Sequence, residues 1–315
     1  MRGVVFTPVV GEKFRNVVGV HAELVVAGSR DEAIAAARGA DFLVTDGSSY
    51  DAALANALIA DKGQLRWVQL VSMGYDGLTQ HGVPAGVVVT NVGGLYAPAV
   101  AEHAIALLLA LSRRLIDSAA GTATHTSDRR QARHMRTLQG AAIALIGCGR
   151  IGQEIAVRLQ PFGVRLIGLA RSARSDPVVG DIRPMSDLAA VLRQADGVIL
   201  AVPLTAETRH LLAAAEFTLC KPGLWLVNVA RGEVVDTGAL AAALKDGRVG
   251  GAALDVTDPE PLPPDAPLWA CPNLLVTPHV GGVGIARAAD RVAELVVENL
   301  ARFRAGEALN HVVMP

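Results

Sequence analysis

Short apolar runs alternate with alanine-rich stretches along the first ninety residues. Apolar runs of this length predict buried strands, and the alanine-rich stretches between them predict helices. Such an alternation is typical of βαβ units on a parallel sheet. The segments, in chain order, are GVVFT, ELVVAG, DEAIAAARG, DFLVTDG, DAALANALIAD, LRWVQLVS and GVVVTNV.

A second series of the same kind begins at Ala141. Before it, Pro98 opens a long predicted helix, Ala99 to about Ala119, which we interpret as the crossover into a second domain. Residues 121–138 are polar and basic, so we predict a loop or extended arm that forms a solvated face or a subunit contact; anion binding is the alternative. A terminal helix is predicted at about 285–305. The strands of the second series are AAIALIG, VRLIGLA, DGVILAVP, LWLVNVA, GGAALDV and NLLVTPH.

Composition favours a globular protein with a small-molecule partner. The chain has 315 residues, 51% of them hydrophobic, which is enough for two cores. With 29 Lys and Arg against 30 Asp and Glu, it has no field that would attract nucleic acid or an anionic membrane. The apolar run 104–111 is too short to span a bilayer, and the N-terminus lacks a secretory pattern, so we expect a cytoplasmic protein. Three scattered cysteines predict neither disulfides nor a metal site.

One segment carries a dinucleotide-binding pattern. LIGCGRIG places Gly147, Gly149 and Gly152 between an apolar strand and an amphipathic helix, with Arg150 and Ile151 beside them. The first glycine makes a tight turn, the second lets backbone approach a pyrophosphate, and the third packs helix on strand. The helix N-terminus adds amide donors for an anion. We therefore predict that this loop binds NAD(H) or NADP(H).

The end of the next predicted strand indicates which nicotinamide cofactor is preferred. An acidic residue there would hold the ribose hydroxyls of NAD(H), but this chain has Ala170. Arg171, Ser172 and Arg174 follow, and such side chains can bind the 2′-phosphate of NADP(H). NADP(H) is therefore favoured. The alternative is an NAD(H) enzyme in which Arg171 stacks on adenine and Asp176 reaches back to the ribose.

Polar residues follow three further predicted strands. These are Arg231, then Asp255 with Glu260, then His279 with Gly281. Ligands of open parallel sheets bind where the strands end, and a guanidinium offers a planar fork for a carboxylate. Singly, each residue is ordinary loop material, and the remaining histidines, including the one beside Glu102, are interpreted as structural.

Taken together, these segments resemble the D-isomer-specific 2-hydroxyacid dehydrogenase family, which includes glyoxylate/hydroxypyruvate reductases and phosphoglycerate dehydrogenases. The resemblance covers nearly the whole chain. Its motifs are LVSMGYDGL, NVGGLYAPAVAEHAIALLLAL, LIGCGRIG, AVPLTAETRHLL, LVNVARGEVVD, ALDVTDPEPLP and LWACPNLLVTPHVGG. Two departures are the lack of a tryptophan in 121–138 and the alanine at 170, where relatives more usually have an aspartate.

The resemblance implies a catalytic set. His279 would donate a proton in the reducing direction, with Glu260 as its partner, while Arg231 clamps the substrate carboxylate and Asp255 supports the site electrostatically. Hydride delivery to a keto carbon builds negative charge on the carbonyl oxygen, and an imidazole can supply a proton to it near neutral pH.

The resemblance also implies binding residues. The loop beginning at Ser72 should wrap the substrate carboxylate, with backbone amides near Met73 and Gly74 as donors. Further cofactor contacts are implied for Pro203, Thr208, Val229, Arg231, Asp255, His279 and Gly281.

The expected architecture is α/β, with two Rossmann-like, doubly wound, parallel-sheet domains. A discontinuous, flavodoxin-like substrate domain covers 1–94 and 284–315, and a Rossmann domain covers 95–283. The expected activity is NAD(P)-dependent reduction of a small 2-keto acid, with glyoxylate and hydroxypyruvate first, in a homodimer. Alternatives are a phosphoglycerate dehydrogenase-type enzyme and a non-catalytic, NAD(H)-sensing protein like the C-terminal binding corepressors. A formate enzyme is disfavoured, because those have Gln where Glu260 stands.

Overall fold

The structure is a computed structural model that describes residues 1–8, 10 and 12–314. The chain folds into two compact units, Met1–Leu95 with Ile285–Pro315, and Tyr96–Gly284. The first unit is therefore discontinuous in sequence, and the second is inserted into it.

Strands and helices alternate along the first segment. Side-chain caps start two of the helices, because Ser29 accepts a hydrogen bond from the Glu32 amide and Asp51 accepts one from the Leu54 amide. The elements are β1 Arg2–Phe6, α1 Glu12–Gly19, β2 Glu23–Val26, α2 Arg30–Ala37, β3 Phe42–Thr45, α3 Ala52–Ala60, β4 Trp67–Leu70, α4 Asp76–His81 and β5 Val88–Thr90.

The inserted unit opens with two helices and continues as a βα series. Its elements are α5 Ala97–Ser112, α6 Leu115–Ala123, β6 Ala142–Ile146, α7 Arg150–Leu159, β7 Arg165–Ala170, β8 Arg174–Asp176, β9 Gly180–Pro184, α8 Leu188–Leu192, β10 Gly197–Leu200, α9 Ala214–Leu219, β11 Leu224–Asn228, α10 Thr237–Lys245, β12 Val249–Leu254 and β13 Leu274–Val276. The chain then returns to the first unit as α11 Ala288–Ala305 and β14 Val312–Met314.

The structure differs from the sequence predictions at three places. The single helix predicted over 99–119 is two helices, because Arg114 takes a left-handed conformation with a φ of 53° and its amide bonds back to Leu111. The segment predicted as a loop or arm begins inside α6 and contains a 3₁₀ helix, Arg129–His134. The polar hairpin β8–β9, antiparallel within itself, was not predicted, since its sequence lacks the apolar pattern of a strand.

In the first unit the strand order is β14-β5-β4-β3-β1-β2. The pairs among β1 to β5 are parallel, and β14 joins the edge antiparallel to β5. Without that added strand, the order is the flavodoxin-like one. The core includes Trp67, fully buried between the rings of Phe42 and Phe303, with its indole N–H donating to Thr90 Oγ1 at 2.8 Å.

In the second unit the strand order is β13-β12-β11-β10-β6-β7-β9-β8. From β13 to β9 the neighbours are parallel, and the order about β6 is the one typical of a Rossmann dinucleotide-binding sheet. Apolar clusters cover both faces of the sheet. The predicted fold class, two doubly wound α/β units, is confirmed.

The apolar run 104–111 lies in α5, where most of its side chains are buried against the second sheet. Within the described part of the chain, helices that combine the length and the apolar character needed to cross a bilayer are absent.

We expect Trp67→Ala to destabilise the first unit by about 3–5 kcal/mol, because it leaves a cavity and removes a hydrogen-bond donor to Thr90. Trp269→Ala is the matched control, since that side chain is 48% exposed. Urea denaturation followed by circular dichroism measures both, and equal losses for the two variants would contradict the packing described.

Candidate active site

Parallel strands of the second unit end at one edge of their sheet, and most of the predicted site residues of that unit follow those ends. Ligands of open α/β sheets bind at this edge. Gly147 follows β6, Arg171 follows β7, Pro203 lies just beyond β10, Arg231 lies just beyond β11, Asp255 follows β12, and His279 lies just beyond β13.

The three glycines of the loop between β6 and α7 have different surroundings. Gly147 has a φ of 102°, and a Cβ there would lie 2.4 Å from the carbonyl oxygen of Ala201. A Cβ at Gly152 would lie 2.0 Å from the carbonyl oxygen of Gly147. At Gly149, the residue that caps α7, a Cβ would meet nothing within 4 Å. Packing thus accounts for the outer two glycines, and the middle one leaves open space at a helix N-terminus, where backbone amides can bind an anion.

Cys148 in the same loop is buried, and its thiol lies 3.7 Å from the carbonyl oxygen of Leu145 and 3.6 Å from that of Leu169. Burial raises the pKa of the Cys148 thiol to about 11. The side chain therefore stays a neutral thiol at neutral pH and fills space behind the loop.

The turn after β7 carries the residues expected to select the cofactor. Arg171 and Ser172 are exposed there, and Arg174 donates from Nη2 to the carbonyl oxygen of Cys148 at 2.8 Å. Arg174 thus ties β8 to the glycine loop.

The Asp176 carboxylate is fully engaged in hydrogen bonds with neighbouring residues. One oxygen accepts the amides of Val178 and Val179, each at 2.9 Å, and the other accepts Gln153 Nε2 at 2.6 Å. The hydrogen bond from Val179 heads the interactions that lower the pKa of Asp176, and those from Val178 and Gln153 add to it. The carboxylate is therefore ionised and already hydrogen-bonded within the protein.

His279 and Glu260 form a hydrogen-bonding contact of 2.7 Å between Nδ1 and Oε1. Their side chains are 49% and 43% exposed, so both lie at the surface of this unit. The second Glu260 oxygen accepts the Thr257 amide at 3.4 Å. The contact fixes the orientation of the ring and commits one of its nitrogens.

Asp255 lies beneath the turn that carries His279 and is 4% exposed. Its carboxylate accepts Thr277 Oγ1 at 2.6 Å and the amides of Val280 and Gly281 at 3.0 and 2.9 Å. Its backbone carbonyl accepts the His279 amide at 2.8 Å. A Cβ on Gly281 would lie 2.7 Å from the carboxylate, so the turn packs directly onto it.

His103, which the sequence assigned a structural role, also reaches this turn, a contact that was not predicted. Its Nε2 lies 2.9 Å from Thr277 Oγ1 and 3.2 Å from Asp255 Oδ1. The signal available in the sequence was a Glu-His pair within the otherwise apolar helix α5.

Arg231 stands on a turn shaped by Asn228, which was not among the predicted site residues. The buried Asn228 amide donates to the Arg231 carbonyl at 2.9 Å and accepts the Ala230 amide at 3.0 Å. A Cβ at Gly232 would lie 2.0 Å from the Thr257 carbonyl oxygen. The Arg231 turn therefore packs against the segment that leads to Glu260.

Two further turns at this edge contain the expected cofactor-lining residues. Thr208 is buried, donates from Oγ1 to the Pro203 carbonyl at 2.7 Å, and accepts the Thr205 amide at the same distance. Val229 is buried and bonds through its amide to the Leu200 carbonyl at 3.2 Å. Thr208 thus holds the shape of its own turn.

In the first unit, the predicted substrate loop is fixed by its own polar groups. Ser72 Oγ donates to the Gly74 carbonyl at 2.9 Å and accepts the Gly47 amide at 3.2 Å. Asn91 Nδ2 donates to the Met73 carbonyl at 2.7 Å. These bonds give the loop a defined backbone course.

Residues 105–281 match the family model described as "D-isomer specific 2-hydroxyacid dehydrogenase, NAD binding domain". The matched region is more than half of the chain. A glyoxylate reductase of Thermococcus gammatolerans is 38% identical over 254 residues, which are 78% of this chain and 75% of that protein.

Two solved structures agree over nearly the full length. A D-isomer specific 2-hydroxyacid dehydrogenase family protein of Aeromonas salmonicida has a TM-score of 0.84 and 30% identity, covering 99% of this chain and 98% of that one. A D-isomer specific 2-hydroxyacid dehydrogenase of Xanthobacter autotrophicus, solved with NADPH and MES, has a TM-score of 0.83 and 27% identity, covering 100% and 98%.

We expect Gly149→Ala to weaken nicotinamide-cofactor binding at least about tenfold, because the methyl group occupies the space before α7. The free energy of unfolding should change by less than about 1 kcal/mol, the cost of a poorer helix cap. Fluorescence titration and urea denaturation measure the two effects. Gly152→Ala is the contrasting variant, since its methyl group strikes backbone and should lower stability; unchanged cofactor affinity in Gly149→Ala would remove the loop from the binding site.

Proposed function

We propose, since the chain belongs to the D-isomer-specific 2-hydroxyacid dehydrogenase family and is an oxidoreductase acting on the CH–OH group, that it reduces glyoxylate or hydroxypyruvate. The observation that carries the proposal is the 2.7 Å contact between His279 and Glu260 at the sheet edge that also holds Arg231 and the glycine loop. The similarity of this chain to the Thermococcus glyoxylate reductase supports the choice of substrates.

Arg231 and His279 have separate roles in the proposed reaction. The cofactor, when bound, supplies the hydride that reaches the keto carbon. Arg231 binds the substrate carboxylate and so fixes which face of the carbonyl is presented. His279 gives a proton to the carbonyl oxygen as negative charge develops there, and takes it back in the oxidising direction.

The contact with Glu260 decides which ring nitrogen does this. Since Nδ1 is committed to the carboxylate, Nε2 is the nitrogen that exchanges a proton with the substrate. The Glu260 carboxylate also holds the ring in one orientation, which keeps that nitrogen in a fixed place. Asp255 contributes by holding the turn under His279.

The remaining contacts follow from position. The amides before α7, with Gly147, Gly149, Arg150, Ile151 and Gly152, would hold the pyrophosphate, and Pro203, Thr208, Val229 and Gly281 would line the rest of the cofactor. We assign residues 1–94 and 284–315 to a substrate domain, in which the loop of Ser72, Met73 and Gly74 binds the carboxylate, and residues 95–283 to the cofactor domain. We also propose a homodimer built around α5 and the segment that follows it.

NADP(H) is the proposed cofactor. Ala170 offers no carboxylate to the ribose hydroxyls, whereas Arg171 and Ser172 are exposed just beyond it. Asp176, the acid that an NAD(H) enzyme would need to recruit, already accepts three hydrogen bonds. The Xanthobacter relative was solved with NADPH.

We expect the purified protein to oxidise NADPH when glyoxylate or hydroxypyruvate is added. His279→Ala should lower kcat by at least about a hundredfold, the lower range for a positioned proton donor, with cofactor affinity within about threefold of the parent. Spectrophotometric assay at 340 nm and fluorescence titration measure these. His21→Ala, at an exposed position in the first unit, is the control; turnover retained in His279→Ala excludes that residue as the proton donor.

Arg171→Ala should raise the KM for NADPH by about ten- to a hundredfold and leave the KM for NADH nearly unchanged, because only NADPH carries the 2′-phosphate. Arg165→Ala is the matched control, an exposed arginine at the opposite end of the same strand. The ratio of kcat/KM for the two cofactors is the measurement, and an equal loss with both would mean that Arg171 does not read the phosphate.

A further inference from the structure

A cluster of polar side chains lies between α5 and the turn that carries His279. His103 projects from α5, an otherwise largely apolar helix, and its side chain is only 22% exposed. Its Nε2 approaches Thr277 Oγ1 at 2.9 Å and Asp255 Oδ1 at 3.2 Å. The histidine therefore reaches the carboxylate that supports the turn from a separate element of the fold.

The direction of these hydrogen bonds follows from the donors available. The Asp255 carboxylate can only accept, so Thr277 gives its single hydroxyl proton to Oδ1 at 2.6 Å. Thr277 Oγ1 must then accept from His103, and this places a proton on Nε2. Nε2 also lies 3.2 Å from Asp255 Oδ1, so His103 is the donor that completes the cluster.

The cluster determines where His279 lies. Thr277 precedes His279 by two residues, and Val280 and Gly281, whose amides also bond Asp255, follow it. His279 itself has a φ of 53°, in the left-handed region that residues other than glycine rarely adopt. Surrounding contacts must therefore maintain this backbone conformation. Asp255 supplies those contacts on both sides of the residue.

We propose that His103 is a positioning residue for the reaction, acting through Thr277 and Asp255 on the turn of His279. The proposal rests on the role of His279 given above. Removing the donor leaves a carboxylate that is 4% exposed with one partner fewer, and the turn must rearrange to recover it. Transfer of a proton depends steeply on the placement of the donor atom, so the loss should fall on kcat.

The central experiment compares His103→Leu with His103→Gln. Glutamine keeps an N–H donor at similar reach, whereas leucine keeps only the bulk. We expect His103→Leu to lower kcat about ten- to a hundredfold, with KM for NADPH and its dissociation constant changed less than about threefold, and His103→Gln to recover most of kcat. His21→Leu and His21→Gln are matched controls at an exposed histidine and should leave all constants unchanged.

A double-mutant test separates this proposal from the proposed function. If His103 acts through His279, His103→Leu should cause no further loss in a His279→Ala background. If His279→Ala alone retains turnover, the proposed function of His279 has failed, and that result does not depend on any His103 variant.

Two outcomes overturn the positioning role. One is a normal kcat in His103→Leu, and the other is equal loss in the leucine and glutamine variants accompanied by weakened NADPH binding, which indicates a role in packing alone. Should His103→Leu fail to fold, Thr277→Val carries the test, since valine matches threonine in shape but lacks the hydroxyl. We then expect the same loss of kcat with cofactor binding retained, and an unchanged kcat there rejects the proposal.

Discussion

The carboxylate of Asp255 is the interaction on which the arrangement of the candidate site depends. It is buried just after the end of β12. It accepts hydrogen bonds from the segment that follows β13, namely from the Thr277 hydroxyl and from the amides of Val280 and Gly281. A buried carboxylate is costly unless such donors surround it, so the donors and the charge stabilise one another. The consequence is a rigid turn in which a histidine holds a left-handed backbone conformation.

The parallel register of the second sheet makes this arrangement possible. The strands β10, β11, β12 and β13 are adjacent and parallel, so the turns that follow them lie side by side. Arg231, Glu260 and His279 are far apart in sequence, and the sheet brings the turns that carry them together. Close packing of Gly232 against the Thr257 carbonyl and of Gly281 against the Asp255 carboxylate then sets the distances between those turns.

The sequence predicted the fold class and the family well, because both depend on patterns repeated along the chain. Apolar periodicity located the buried strands, and the His279–Glu260 pair was expected from the resemblance and is in contact in the structure. The break at Arg114 was missed, since it depends on one residue's backbone conformation within an apolar pattern. The partners of His103 were not predicted, because only the fold brings Thr277 and Asp255 near it. The Asn228 bonds were not predicted either, since they reach groups only two and three residues away in a turn whose conformation an apolar pattern does not specify.

The glycine loop has a consequence for the energetics of ligand capture. Gly147 and Gly152 are required by contacts within the protein, namely with the Ala201 carbonyl and with each other. The loop therefore has its shape before any dinucleotide arrives, and association does not have to order the backbone of this segment. Preorganisation of this kind leaves more of the contact energy available as affinity for the dinucleotide.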